Sequence, residues 1–239
     1  MSQPRFNVFS MMEMPRAMME FASLGPSLLS LHAVPRGDGH SVFVLPGFMG
    51  SDVSTTFLRQ YLDTKGYKTS GWGLGTNLGL GRVGGFPALL KKFEEVFERA
   101  EQAEVSLVGW SLGGNFARRL AREVPDKVRQ VICLGSPISD PSQSSAYSTF
   151  ERLNSVEYAR DAIDRYKERN LEPMPVPSTA IYSKTDGVVP HEFAREQVSA
   201  QTDNIEVTGS HSGLVVNPQV FRLVGQKLAQ KHWQRLGKH

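Results

Sequence analysis

A chain of 239 residues, 40% hydrophobic and 21% charged, has room for one sizeable core and is too apolar to remain disordered. Its net charge of +3 is too mild to mark a nucleic-acid binder, and its basic residues lack the interleaved aromatics of a stacking platform. The single cysteine, Cys133, excludes an internal disulfide, and nothing approaches the roughly 18 consecutive apolar residues that span a bilayer.

In chain order, the first feature is a cluster of Met11, Met12, Met14, Met18, Met19, Phe21 and Leu24. Flexible methionines suit packing against the body of the protein, with a mobile lid or substrate wall and a membrane-surface helix as the alternatives. No basic region followed by an uninterrupted apolar stretch opens the chain, so a cytoplasmic location is expected. Ser41 to Leu45 is a short apolar run stopped by Pro46-Gly47 and predicts a buried strand. Phe57 to Leu62 predicts a helix ended by Gly66, and Tyr67 to Trp72 a second strand. A glycine-rich stretch, Gly73 to Gly85, precedes a helix over Phe86 to Ala100.

Glu104 to Val108 then predicts a strand, Gly113 to Glu123 a helix and Val128 to Leu134 another strand, with Cys133 a buried strand residue. From 139 to 175 the alternation pauses in a polar segment with apolar residues at helical spacing, read as a small helical cap inserted into a single domain spanning 1–239. Ser178 to Tyr182 and Asn204 to Val207 are the last strands, and Asn217-Pro218 is a helix start. Repeated strand, turn and helix predict an α/β fold with a mostly parallel central sheet and helices on both faces. Lys227, Lys231 and Arg235 recur every fourth residue in an end segment that also holds Arg222 and Lys238. They predict a solvated basic face, with an acidic partner or anionic lipid surface as the alternative.

Chemistry concentrates in Gly109-Trp110-Ser111-Leu112-Gly113, a G-x-S-x-G pattern. Such a serine sits on a strained turn between strand and helix, and here a predicted strand precedes it and a predicted helix follows. A serine needs a base to take its proton, and the base needs an acid to fix its tautomer. Asp186, in the turn after a late strand, is the candidate acid, although an Asp-Gly pair also serves as a plain turn. His211, in a loop bounded by Gly209 and Gly213 after the final strand, is the candidate base, with His191 the rival. An oxyanion hole needs two backbone N–H donors; Leu112 follows the nucleophile and Phe48 lies in the turn after the first strand. Met49 and Trp110 are nearby apolar candidates for substrate contact. Gly71-Trp72-Gly73-Leu74-Gly75 lacks the further spacing of a dinucleotide loop, and the histidines and cysteine lack metal-ligand spacing, so no metal or other cofactor is expected.

The segments VLPGFMG, LVGWSLGG, LGSP, YSKTDGVVP and GSHSGLVVNP occur in the order found in the α/β-hydrolase superfamily. The chain resembles that family from about Val42 to Pro218, and is most similar to its bacterial esterase and lipase-like members with a small cap. The resemblance implies nucleophile Ser111, acid Asp186, base His211 and oxyanion donors Phe48 and Leu112. Many members carry His-Gly at the oxyanion turn where this chain has Pro46-Gly47, which implies a different support for that turn. The expected activity is cleavage of a small carboxylic ester, with short to medium acyl chains favoured. Acyl transfer or perhydrolysis through the same triad is the first alternative, and a non-catalytic binding protein on the same fold the second.

Overall fold

The computed structural model describes residues 8–170 and 172–230. A one-turn helix α1 (Val8–Met11) and a long helix α2 (Glu13–His32) lead into β1 (Ser41–Leu45), α3 (Thr56–Thr64), β2 (Lys68–Gly71), α4 (Gly85–Arg99) and β3 (Val105–Trp110). There follow α5 (Leu112–Glu123), β4 (Val128–Leu134), α6 (Tyr147–Asn154), α7 (Val156–Asn170), β5 (Ser178–Ser183), β6 (Thr202–Val207) and α8 (Pro218–Ala229). The strands form one sheet in the order β2-β1-β3-β4-β5-β6, and every adjacent pair is parallel.

Burial on both faces explains why the central strands read as continuous apolar runs. Successive side chains of β1 alternate: Phe43 and Leu45 join a core with Phe93 of α4 and Leu120 of α5, while Val42 and Val44 join one with Leu58 of α3 and Phe221 of α8. Each of these buried side chains contributes about 1.5–3 kcal/mol of transfer free energy. Cys133 lies within the first core, and burial pushes its thiol up to about 11. It is a packing residue, as its setting in an apolar run predicted.

The chain leaves β1 outward to β2 and then returns past β1 to β3. Connections at the carboxyl ends of β1 and β3 therefore diverge, and such a reversal opens a crevice above the sheet. The loops carrying Phe48 and Ser111 flank it.

Element boundaries differ from the sequence reading by a few residues. Strand β3 runs on to Trp110, because the turn begins only at Ser111, and β6 starts at Thr202. The start of α8 is as predicted: the Asn217 side chain accepts from the N–H groups of Gln219 and Val220 at 2.8 and 3.4 Å. Lys227 on α8 pairs with Asp203, whereas Lys231, Arg235 and Lys238 lie outside the described residues. Among the described residues no helix is long and apolar enough to cross a membrane.

The Met-rich segment departs from the expectation that its methionines pack inward. Met11, Met14, Met18 and Met19 are between 65% and 80% exposed, and the side that meets the body carries Glu13, Arg16 and Glu20 before Leu24 and Leu31 reach the core. The physical reason lies beneath the helix. The loops it covers present backbone N–H and C=O groups there, so polar side chains satisfy that face better than methionines do.

Candidate active site

Ser111 occupies the junction of β3 and α5 with φ 52° and ψ −123°. A side-chain-bearing residue in that region costs about 1–3 kcal/mol and persists only where its surroundings fix it. Its N–H donates to the Leu134 carbonyl at 2.8 Å, and its carbonyl accepts from Gly114 N–H at 3.0 Å. Gly113 is required because a Cβ there would lie 2.4 Å from the Leu45 carbonyl oxygen. The strain thus projects the hydroxyl above the carboxyl edge of the sheet.

The three side chains singled out in the sequence meet there. His211 Nε2 is 2.9 Å from Ser111 Oγ, and His211 Nδ1 is 2.7 Å from Asp186 Oδ2. Ser111, Asp186 and His211 are all buried. The other oxygen of Asp186 accepts from the N–H groups of Val188 and Val189, each at 2.8 Å, which fixes the carboxylate's orientation. Ser183, at the end of β5, donates to the Gly209 carbonyl at 2.7 Å and ties the acid loop to the histidine loop. His191 is elsewhere, stacked on Tyr182 and beside Glu192.

Phe48 and Leu112 line the same cavity as Ser111, Phe48 from the turn after β1 and Leu112 as the first residue of α5. Among the described residues neither backbone N–H has an acceptor, and that of Leu112 opens the 12-residue helix α5, whose positive end favours a developing anion. The turn holding Phe48 is supported by Asn77, which the sequence reading passed over. Asn77 is fully buried, its side chain donates to the Pro46 carbonyl at 2.8 Å, and its backbone exchanges 2.7 Å bonds with Met49 and Gly50. The different support implied by Pro46-Gly47 is this asparagine. Its setting in a glycine-rich loop was the available signal, but its partner is 31 residues away.

A cavity of about 130 Å³ opens beside Ser111, walled by Phe48, Leu112 and Phe116 below and by Tyr147, Phe150 and Ile163 of α6 and α7 above. Its lining is largely apolar. Asn115 also lines it, and among the described residues its buried Oδ1 has no hydrogen-bond partner. Met49, expected to contact substrate, is not in this wall; it is 62% exposed. Nor is Trp110, whose Nε1 donates to the His211 carbonyl at 3.1 Å and whose ring braces the imidazole. The Gly71–Gly75 loop, which lacks dinucleotide-loop spacing, is occupied from within: the Asp52 carboxylate accepts from the N–H groups of Trp72 and Gly73.

Residues 21–153 match the family model described as alpha/beta hydrolase fold, a span that contains the Ser111 turn and ends before Asp186 and His211. Over 60 residues the chain is 43% identical to the pimeloyl-[acyl-carrier protein] methyl ester esterase of Proteus mirabilis (strain HI4320). That stretch is 24% of this chain and 23% of the relative, so it spans about a quarter of the curated relative's length. Among solved structures, a metagenomic carboxyl esterase, MGS0156, is similar with a TM-score of 0.60 at 15% identity, over 81% of this chain and 76% of that one. The Paleococcus ferrophilus monoacylglycerol lipase gives 0.58 at 16% identity over 82% and 95%. An alpha/beta hydrolase from the metagenome of Mar Chica lagoon sediments gives 0.57 at 22% identity over 80% and 91%. At these identities the likeness is one of fold.

Proposed function

The chain belongs to the alpha/beta hydrolase fold family, and from that premise we propose that it cleaves carboxylic esters through an acyl-enzyme on Ser111. The observation that carries this reading is the continuous hydrogen-bonded line from Ser111 through His211 to Asp186 at the mouth of an apolar cavity. Ser111 Oγ attacks the ester carbonyl while His211 Nε2 takes its proton, and the carbonyl oxygen becomes an anion held by the Phe48 and Leu112 N–H groups. The tetrahedral intermediate collapses, and His211 gives the proton to the departing alcohol. Water, deprotonated by His211, then attacks the acyl-enzyme; the acid leaves and Ser111 regains its proton. Asp186 holds the imidazole with Nδ1 protonated throughout. No cofactor enters these steps.

In this reading 1–239 is a single domain, and α6 and α7, within the 139–175 insertion, form a small cap that roofs the acyl pocket. A cytoplasmic setting fits the free, buried Cys133. The cavity is close in size to an apolar protein cavity of roughly 150 Å³ that accepts benzene, which favours short to medium acyl groups. Across a series of p-nitrophenyl esters, kcat/KM is expected to peak at about four to eight acyl carbons, each well-placed methylene adding up to a few kcal/mol of discrimination. A rate that keeps rising to long chains overturns the acyl-length assignment. Absence of hydrolysis, together with failure of a fluorophosphonate to label Ser111, overturns the function.

The reaction should also follow the charge of His211. Burial disfavours its protonated form, but the charge and hydrogen bond of Asp186, with the charge of Glu13, outweigh burial and hold the imidazole above its ordinary 6.5. Catalysis requires the neutral base. Activity is therefore expected to rise with pH along a limb centred above 6.5, as a pH profile of kcat/KM in the free enzyme will report. A limb centred well below that value contradicts the environment described.

A further inference from the structure

Helix α2 is amphipathic with its sides reversed, as its exposed methionines show. Its inward polar residues converge on the loops that carry Asp186 and His211. Glu13, 7% exposed, accepts on Oε1 from Gly187 N–H at 2.8 Å and from His211 N–H at 3.1 Å, and on Oε2 from Ser212 N–H at 3.1 Å. One carboxylate thus bridges the residue after the acid and the backbone of the base. Arg16 donates to the Thr185 carbonyl and hydroxyl at 2.6 and 2.7 Å, and Glu20 accepts from Ser210 N–H at 2.7 Å. The approach is close: Gly187 lies against the backbone of Phe9 and Ser10, where a Cβ would come within 2.5 Å of both.

A helix that served only as a cover needs no buried carboxylate there, since burying one is costly unless it is fully hydrogen-bonded. Glu13 is satisfied by three donors, all from the two loops whose relative position sets the 2.7 Å bond between His211 and Asp186. We propose that Glu13 is a positioning residue, fixing the acid and base loops against each other and using its charge to keep His211 ready to receive the Ser111 proton. The proposal rests on the reading of His211 as the general base. Among the described residues, Asp186 on the acid loop and Glu13, Arg16 and Glu20 on α2 are the charged groups bonded into this region. Asp186 and Glu13 are the two whose charge raises the imidazole.

The test compares the wild type with Glu13→Gln in ester turnover and in the pH dependence of fluorophosphonate labelling at Ser111. Glutamine keeps the size of the side chain but removes the charge and sets an NH2 group against backbone donors. Folded Glu13→Gln should show KM within about twofold of wild type, kcat about tenfold lower, and a labelling midpoint about half a pH unit lower. An unchanged midpoint with unchanged kcat overturns the proposal. So does a variant that only melts earlier while its folded fraction keeps both values, since that assigns Glu13 to the fold alone. If Glu13→Gln does not fold, the same two readouts on Glu13→Asp, which keeps the charge but shortens the reach, decide, and wild-type values for both overturn the proposal. A wild type that neither labels nor turns over ester instead removes the parent reading of Ser111 and His211, and this proposal with it.

Discussion

Replacing Ser111 with alanine should lower kcat on p-nitrophenyl butyrate by about 10⁶-fold and abolish fluorophosphonate labelling, while the fold stays intact. A loss of this size is typical when the nucleophile of a triad is removed, because base and acid then have nothing to activate. On the proposed mechanism, what survives is the catalysis of the remaining site: the N–H groups of Phe48 and Leu112, without acceptors among the described residues, would still stabilise an oxyanion formed by direct attack of water, worth about 10³–10⁴ over solution. Folding should tolerate the change, because the Ser111 hydroxyl has His211 as its bonding partner and the strained turn is held by backbone bonds to Leu134 and Gly114. Steady-state kinetics with a melting curve on the same sample separate the two effects. A variant retaining more than about a per cent of wild-type turnover would remove Ser111 from the mechanism.

The Ser111 turn was legible in the sequence because its strand, turn and helix are contiguous, and the glycines at 109 and 113 report backbone approaches that local spacing encodes. Asp186 and His211 were legible through order alone, each following a strand in a loop rich in small residues. What the sequence did not disclose depends on distant partners. Glu13 meets residues 174 to 199 positions away, and nothing local distinguishes it from an exposed acid at the start of a helix. The methionines misled for a related reason: packing of flexible apolar side chains presumes an apolar surface beneath the helix, and this one offers N–H and C=O groups. Trp110 and Met49 are expected at the substrate because they adjoin Ser111 and Phe48 in sequence. The pleat and the turn send them away from the cavity wall.

Connectivity between side chains does not by itself make such a site, and this protein supplies its own comparison. His40 Nε2 lies 2.8 Å from Ser106 Oγ, and its Nδ1 is bonded to Asp38, which repeats the wiring of Ser111, His211 and Asp186. Ser106, however, is fully buried on β3 in unstrained strand geometry, toward the opposite end of that strand from Ser111. Burial there outweighs the pull of Asp38, and with Arg129 adjacent the imidazole is held below its ordinary value, the reverse of His211. The distinguishing features at Ser111 are therefore the turn, the Phe48 and Leu112 N–H groups that have no acceptor among the described residues, and the cavity.

Asp186→Asn should cost about 10⁴-fold in kcat with little change in fold, the loss seen when the orienting acid of a serine triad becomes an amide. The geometry gives the reason for such a loss in this chain. Asp186 Oδ1 accepts from Val188 and Val189 N–H groups, which cannot be served by an amide NH2. The asparagine oxygen must therefore stay on that side, and its NH2 must face His211 Nδ1 in place of Oδ2. Since that NH2 donates, Nδ1 must accept, and the imidazole proton moves to Nε2, the nitrogen 2.9 Å from Ser111 Oγ. In that tautomer His211 cannot take the serine proton. Loss of the Asp186 charge also removes a force holding His211 above 6.5, so the residual activity should retain its rise to a lower pH than in the wild type. Kinetics across pH, with labelling of Ser111 as a second readout, measure both effects, and a loss smaller than about tenfold would show that Asp186 does not set the tautomer.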